Sequence, residues 1–132
     1  MSQNWVQDMA VMHAKFDVNK AVESMSPEVL KEFLKFRINF LQEELDEMKK
    51  ADNADDVVDA LIDLCVVAIG TLDSFGIDAY KAWDEVHNAN MSKEPGIKES
   101  RPNPLGLPDL IKPEGWKGPE HRGNYGYLIN SI

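Results

Sequence analysis

Cysteine is almost missing from this chain. Cys65 is the single one among 132 residues, which excludes a disulfide framework and suits a reducing compartment. Its place in the apolar run VDALIDLCVVAIG marks it as a buried hydrophobe rather than a reactive thiol. Positive charge is scarce as well. Fourteen Lys and Arg stand against 23 Asp and Glu, a formal net charge of -9, which excludes nucleic-acid backbones and anionic membrane surfaces as partners. Long hydrophobic runs are also lacking: the longest, Leu61 to Leu72, is interrupted by Asp63 and is too short to span a bilayer. The first residues, MSQNWVQDMA, have neither the basic start nor the apolar core of a secretion signal, so a cytoplasmic location is expected. Proline and glycine are nearly absent from the first 94 residues. Six of the seven prolines and six of the eight glycines lie between 95 and 132, so chain-breaking chemistry is confined to the C-terminal segment.

What is present reads as helix. The length suits one domain. Residues 4–16 set Trp5, Met9, Met12 and Phe16 at helical spacing, the pattern of a short amphipathic helix. Ser26-Pro27 is a helix start, a capping hydroxyl followed by proline at the first helical position, and that helix is expected to run to about Ala51. Leu30, Leu34, Ile38, Leu41, Leu45 and Met48 form one apolar stripe on it, and Phe33, Phe36 and Phe40 form a second. A helix apolar on two faces is buried on two faces. The second face is expected to be a subunit interface, the wall of a pocket for a flat ligand group such as a nucleobase, or both if the site lies at a subunit boundary. Asp52-Asn53 breaks the pattern, and the next helix, about Ala54 to Ser74, is apolar over so wide an arc that it is expected to be the central, most buried one. Gly70 within it predicts a close approach, because a helix-interior glycine is unfavourable by about 1 kcal/mol. Phe75-Gly76 ends it, and Asp78 caps the last helix, on which Ala79, Ala82, Val86 and Ala89 are expected to face inward, with Trp83 beside them. The fold class is therefore all-α, a four- to five-helix bundle over residues 1–94. Residues 95–132 form an extended Pro/Gly-rich C-terminal arm that still carries Leu105, Leu107, Trp116, Tyr125 and Tyr127, more apolar material than a solvated tail holds. It is expected to pack on the bundle or on a neighbouring subunit.

The charge is concentrated in one place. Between Glu43 and Asp63 there are nine acids and only Lys49 and Lys50 to offset them. Glu43, Glu44 and Glu47 fall within about 100° on the helical wheel, and Asp59 and Asp63 sit one turn apart on the next helix. Asp63 is flanked by Val66 and Val67, so it is partly buried. Buried carboxylates are costly unless neutralised, and the partner that suits facing rows of carboxylates is a hard divalent cation such as Mg2+, which takes oxygen ligands.

With EELDE at residues 43–47, DALID at 59–63 and NMSK at 90–93, the chain resembles the MazG-like all-α nucleoside triphosphate pyrophosphohydrolases, a group related to phosphoribosyl-ATP pyrophosphohydrolase. The family pattern is EExxE on one helix and ExxD on the next. The first half is matched in full. In the second, Ala60 stands three residues before Asp63, and the acid appears at Asp59 instead. The resemblance covers residues 30–93, and the tail looks like that of small viral members. It implies Mg-dependent hydrolysis of a (d)NTP to the (d)NMP and pyrophosphate, with Mn2+ as a possible substitute and two or more ions per site. Glu44, Glu47 and Asp63 would hold the metal with Asp59 assisting, and Glu43 would be the catalytic base. Arg37, Asn39, Asn90 and Lys93 would contact the substrate, with Asn39 as a polar edge for a guanine base, since dGTP or GTP is the expected preference. A homodimer or homotetramer is implied, with no nucleic acid and no membrane. Two rivals are a non-enzymatic helical interaction module and a di-metal carboxylate bundle. The second wants paired Glu-x-x-His sequences, and only Asp84-x-x-His87 comes near. His13 and His121 are isolated in the sequence and default to structural or surface roles.

Overall fold

The computed structural model describes residues 1–100 and 105–132; residues 101–104 of the expected arm lie outside the described residues. Five α-helices follow one another among the described residues: α1 (Trp5–Lys15), α2 (Val18–Glu23), α3 (Pro27–Lys50), α4 (Ala54–Ser74) and α5 (Ala79–Met91). The starts are set by side chains. Asn4 caps α1 by accepting from the Gln7 amide, Ser26 caps α3 by accepting from Val29, and Asn53 caps α4 by accepting from Asp56, each satisfying an amide that the first turn leaves unpaired. α2 is an element that the sequence pattern did not announce. It is six residues long with apolar groups only at Val18 and Val22, too short for a period to register. Asp17, in the left-handed region at φ 56°, breaks the chain between α1 and α2.

The molecule divides into two compact units, one of residues 1–79 with 123–132 and one of residues 80–122. In the first, α3 pairs most extensively with α4, and α1 lies along α4 as well. Val22, Leu30 and Phe75 form the fully buried centre, surrounded by Val18, Met25, Phe33, Leu34, Ile77, Tyr127 and Leu128. This corrects the two-stripe reading of α3. Phe33 packs with the leucines, its ring 5.5 Å from Phe75, while Phe36 and Ile38 remain exposed. Leu30 to Phe33 and Leu34 are three and four residues apart and so share a face. α4 is central in its contacts but is not buried all round: Val58, Leu61 and Ile62 are 60%, 47% and 45% exposed. Gly70 does sit at a close approach. A Cβ there would lie 3.0 Å from both Met9 Cε of α1 and Arg37 Nη2 of α3, so the missing side chain lets two elements converge on one turn of α4.

In the second unit, Ala89 of α5 is buried as expected, whereas Val86, also expected inward, is 39% exposed and Trp83 beside it is 71% exposed. The tail is more ordered than its lack of periodicity suggested. Strand β1 (Glu94–Gly96) pairs antiparallel with β2 (Asp109–Ile111), Glu94 opposite Ile111. Trp116 Nε1 donates to Ala89 O and to Ser92 Oγ, each at 2.9 Å. Leu105 and Leu107 stay exposed. No single helix among the described residues is long and apolar enough to cross a membrane.

The last ten residues return to the first unit through a 3₁₀ turn, Gly126–Asn130. Tyr127 N donates to Phe75 O at 2.8 Å, and Asn124 bridges both backbone groups of Asp78. Gly126, at φ +52°, leaves no room for a side chain, since a Cβ there would overlap the Phe75 carbonyl oxygen. Gly126→Ala combines left-handed strain with a backbone clash and should lower the unfolding free energy by about 2–3 kcal/mol. A urea midpoint equal to wild type would show that this segment is not part of the cooperative fold.

Candidate active site

The acidic rows of α3 and α4 meet across the most extensive helix pair of the first unit. Glu44 is buried, at 9% exposure. Asp63 is half-buried, and Glu43, Glu47 and Asp59 are exposed. Burial pushes the Glu44 carboxyl above the ordinary glutamate range, and the negative charges of Glu47, Asp63 and Glu43 push it the same way. Its Oε2 is the one buried side-chain polar atom among the described residues that has no hydrogen-bond partner. A buried acceptor left unsatisfied is unfavourable by about 1–3 kcal/mol, so this atom is where the site calls for a cation or a donor. Glu47 and Asp59 line, with Lys50, Ala51, Asp56 and Ala60, a neighbouring depression of about 320 Å³.

These acids share one electrostatic neighbourhood without closing on a point. Among the described residues no three carboxylate, imidazole or thiol groups converge tightly enough to cage an ion. Glu44 also lies within hydrogen-bonding reach of Glu47, which raises its carboxyl pKa further. The donor set is all oxygen, which fits a hard divalent ion. Glu44, with its orphaned oxygen, is the member of the set with most to gain from one.

Arg37 behaves differently from a free substrate contact. Its Nε donates to Thr71 Oγ1 at 2.8 Å and its Nη2 to Val67 O at 2.9 Å. Its guanidinium carbon lies 5.6 Å from the Phe40 ring centroid, and burial lowers its pKa from the usual value. It ties α3 to α4 at the turn that Gly70 leaves open. Asn39 is exposed, one turn before Glu43 on the same side of α3.

Asn90 and Lys93 belong to the second unit. Asn90 lies exposed on the last turn of α5, and its carbonyl accepts from Lys93 N at 3.1 Å. Lys93 Nζ stands 5.3 Å from the centre of the Trp116 ring and Lys112 Nζ 5.0 Å from it, so the indole holds two ammonium groups by cation–π attraction. Sequence reading missed Trp116 and Lys112 in this role, since no periodicity links residue 116 to α5. Lys50, one of the two cations that the sequence sets against the acids, lines the acidic depression. Sequence reading also took His13 for an isolated residue. His13 is buried at 4%, with Nδ1 2.6 Å from Asp73 Oδ2 across α1 and α4, a link between residues 60 positions apart that no local pattern carries.

Residues 11–90 match the family model described as phosphoribosyl-ATP pyrophosphohydrolase. No curated protein matches the chain.

A glutamate whose native pKa lies above its unfolded value binds its proton more tightly when folded. Its contribution to stability is therefore full at low pH and is lost as pH rises from the ordinary carboxylate range through the raised native value. Without divalent ions, the unfolding free energy of the wild type should fall across that window. Glu44→Gln should flatten the profile and be at least as stable as wild type at neutral pH. Chemical unfolding of both proteins from pH 4 to 8 in a chelating buffer checks this, and a Glu44→Gln variant less stable than wild type at neutral pH would contradict it.

Proposed function

We propose that this chain, which belongs to the phosphoribosyl-ATP pyrophosphohydrolase family, a branch of the MazG-like all-α group, hydrolyses a (deoxy)nucleoside triphosphate to its monophosphate and pyrophosphate. The activity class, a pyrophosphohydrolase acting on a nucleotide phosphoanhydride, is that of the family. The observation that carries the site assignment is the buried, unpartnered Oε2 of Glu44 amid Glu43, Glu47 and Asp63.

Phosphoryl transfer asks for charge neutralisation and positioning more than for covalent help. Glu44, Glu47 and Asp63, assisted by Asp59, would hold Mg2+, with Mn2+ as a substitute and room in the donor set for more than one ion. When bound, the metal supplies neutralisation of the phosphate charge and polarisation of the α-phosphate. Glu43, exposed at the edge of the row, orients a water molecule and takes its proton as the water oxygen bonds to the α-phosphorus. The bond from that phosphorus to the bridging oxygen breaks, and pyrophosphate departs with the electron pair. Lys93, with Asn90 one turn before it, is the cation proposed for a phosphate oxygen. Arg37 serves the site through the α3–α4 tie. The proposed base preference is guanine, as dGTP or GTP.

The deciding assay measures pyrophosphate release from dGTP, dATP, dCTP, dTTP, dUTP and phosphoribosyl-ATP under one Mg2+ concentration. Turnover confined to phosphoribosyl-ATP would replace the triphosphate reading, and equal kcat/KM across the triphosphates would remove the base preference. Loss of a residue that merely supports a metal ligand already lowers metal affinity or activity about 10–100-fold. Glu44→Gln and Asp63→Asn should therefore each lower kcat/KM by more than about a hundredfold while the circular dichroism spectrum is retained. Wild-type rates in either variant would refute the assignment.

A homodimer or homotetramer is part of the same proposal. Val58, Leu61 and Ile62 on α4 and Phe36 and Ile38 on α3 are large apolar groups left between 45% and 60% exposed, and the three on α4 fall within one turn, the kind of apolar surface that marks a protein contact. Light scattering should report a multiple of the 14.9 kDa chain mass. A monomer at micromolar concentration would count against it.

A further inference from the structure

An apolar groove of about 220 Å³ runs between α1 and α4, with Trp5, Asp8 and Met9 on one side and Ile62, Cys65, Val66 and Ile69 on the other. We infer that this groove is the base-binding subsite of the nucleotide and that Asp8 is the residue that reads guanine. The inference rests on the nucleotide reading above and moves the base-reading group from Asn39 to Asp8.

The groove has the right company. On α4 its four residues span about 100° of the wheel, with Asp59 about 20° and Asp63 about 60° beyond one edge of that arc. Along the axis, Cys65 and Val66 are roughly 3–5 Å from Asp63 and roughly 9–10 Å from Asp59. A sugar bridges such a gap between a base in the groove and an α-phosphate at the acids. Trp5, Asp8 and Met9 are spaced i, i+3 and i+4, so one face of α1 supplies an indole, a carboxylate and a thioether. A volume of about 220 Å³ holds one flat bicyclic ring and is too small for a helix.

Its chemistry selects among bases. The walls are apolar apart from one carboxylate, which accepts hydrogen bonds and donates none when ionised. Guanine presents two adjacent donors, the ring N1–H and the exocyclic amine, and a carboxylate meets both. Adenine and cytosine offer a donor beside an acceptor, whose lone pair the carboxylate repels. Thymine and uracil offer one donor between two carbonyl oxygens. Hypoxanthine keeps N1–H and lacks the amine, so it reports on one of the two bonds. Trp5, 53% exposed in this chain, supplies a face for stacking at the mouth.

Calorimetric titration of the full chain with dGMP, dIMP and dAMP in the presence of Mg2+ tests this. The wild type should bind dGMP about tenfold more tightly than dIMP, the worth of one hydrogen bond to a charged group, and dAMP more weakly again. Asp8→Asn should bring dGMP down to the dIMP level, and Trp5→Ala should weaken all three together. Equal binding of dGMP and dIMP by the wild type overturns the inference, and that comparison is independent of how any variant folds. An Asp8→Asn protein that keeps the preference also overturns it. So does one whose mass in light scattering falls while the preference persists, which would make the groove a contact between copies. Selective dGMP binding by a wild type that releases pyrophosphate from no triphosphate would sustain the base subsite and refute the catalytic reading, so the two fail separately.

Discussion

The burial of one carboxylate among others shapes this molecule. Glu44 sits at 9% exposure with Glu43, Glu47 and Asp63 around it and an oxygen that nothing satisfies. Such a group is unfavourable in the metal-free chain, so the pairing of α3 with α4 has to be held by other means. Apolar packing at Leu30, Phe33, Leu34 and Phe75 supplies part of it. Arg37 supplies another part, reaching Thr71 and the Val67 carbonyl from the next helix. The core and the arginine tie hold together two helices whose facing charges push them apart.

The same logic orders the rest of the first unit. α1 lies on α4 through the buried His13–Asp73 pair and through the space at Gly70. The 123–132 segment closes over Phe75 and Asp78. Each of these contacts falls at the C-terminal half of α4 or just beyond it, while the acids sit in its N-terminal half. Rigidity and electrostatic strain therefore occupy opposite ends of one helix.

Much of this could be read from the residues in order. The bounds of α3, α4 and α5 follow from caps and breakers that act within a few residues: Ser26-Pro27, Asn53 and Phe75-Gly76. The clustering of Glu43, Glu44 and Glu47, and of Asp59 with Asp63, follows from 3.6 residues per turn. The two acidic rows and the family resemblance were legible because both reside in local spacing.

Only the tertiary structure decided which of equivalent residues became buried. Glu43, Glu44 and Glu47 are alike on a wheel, yet Glu44 alone is enclosed, because enclosure depends on where α4 crosses. Phe33 went into the core and Phe36 did not, for the same reason. The His13–Asp73 pair, the Arg37 tie and the seat of Trp116 on α5 join residues 24 to 60 positions apart, and no local period encodes a partner at that distance. Periodicity specifies which side of an element a residue faces. What stands opposite is settled when the elements pack and the long-range contacts form together.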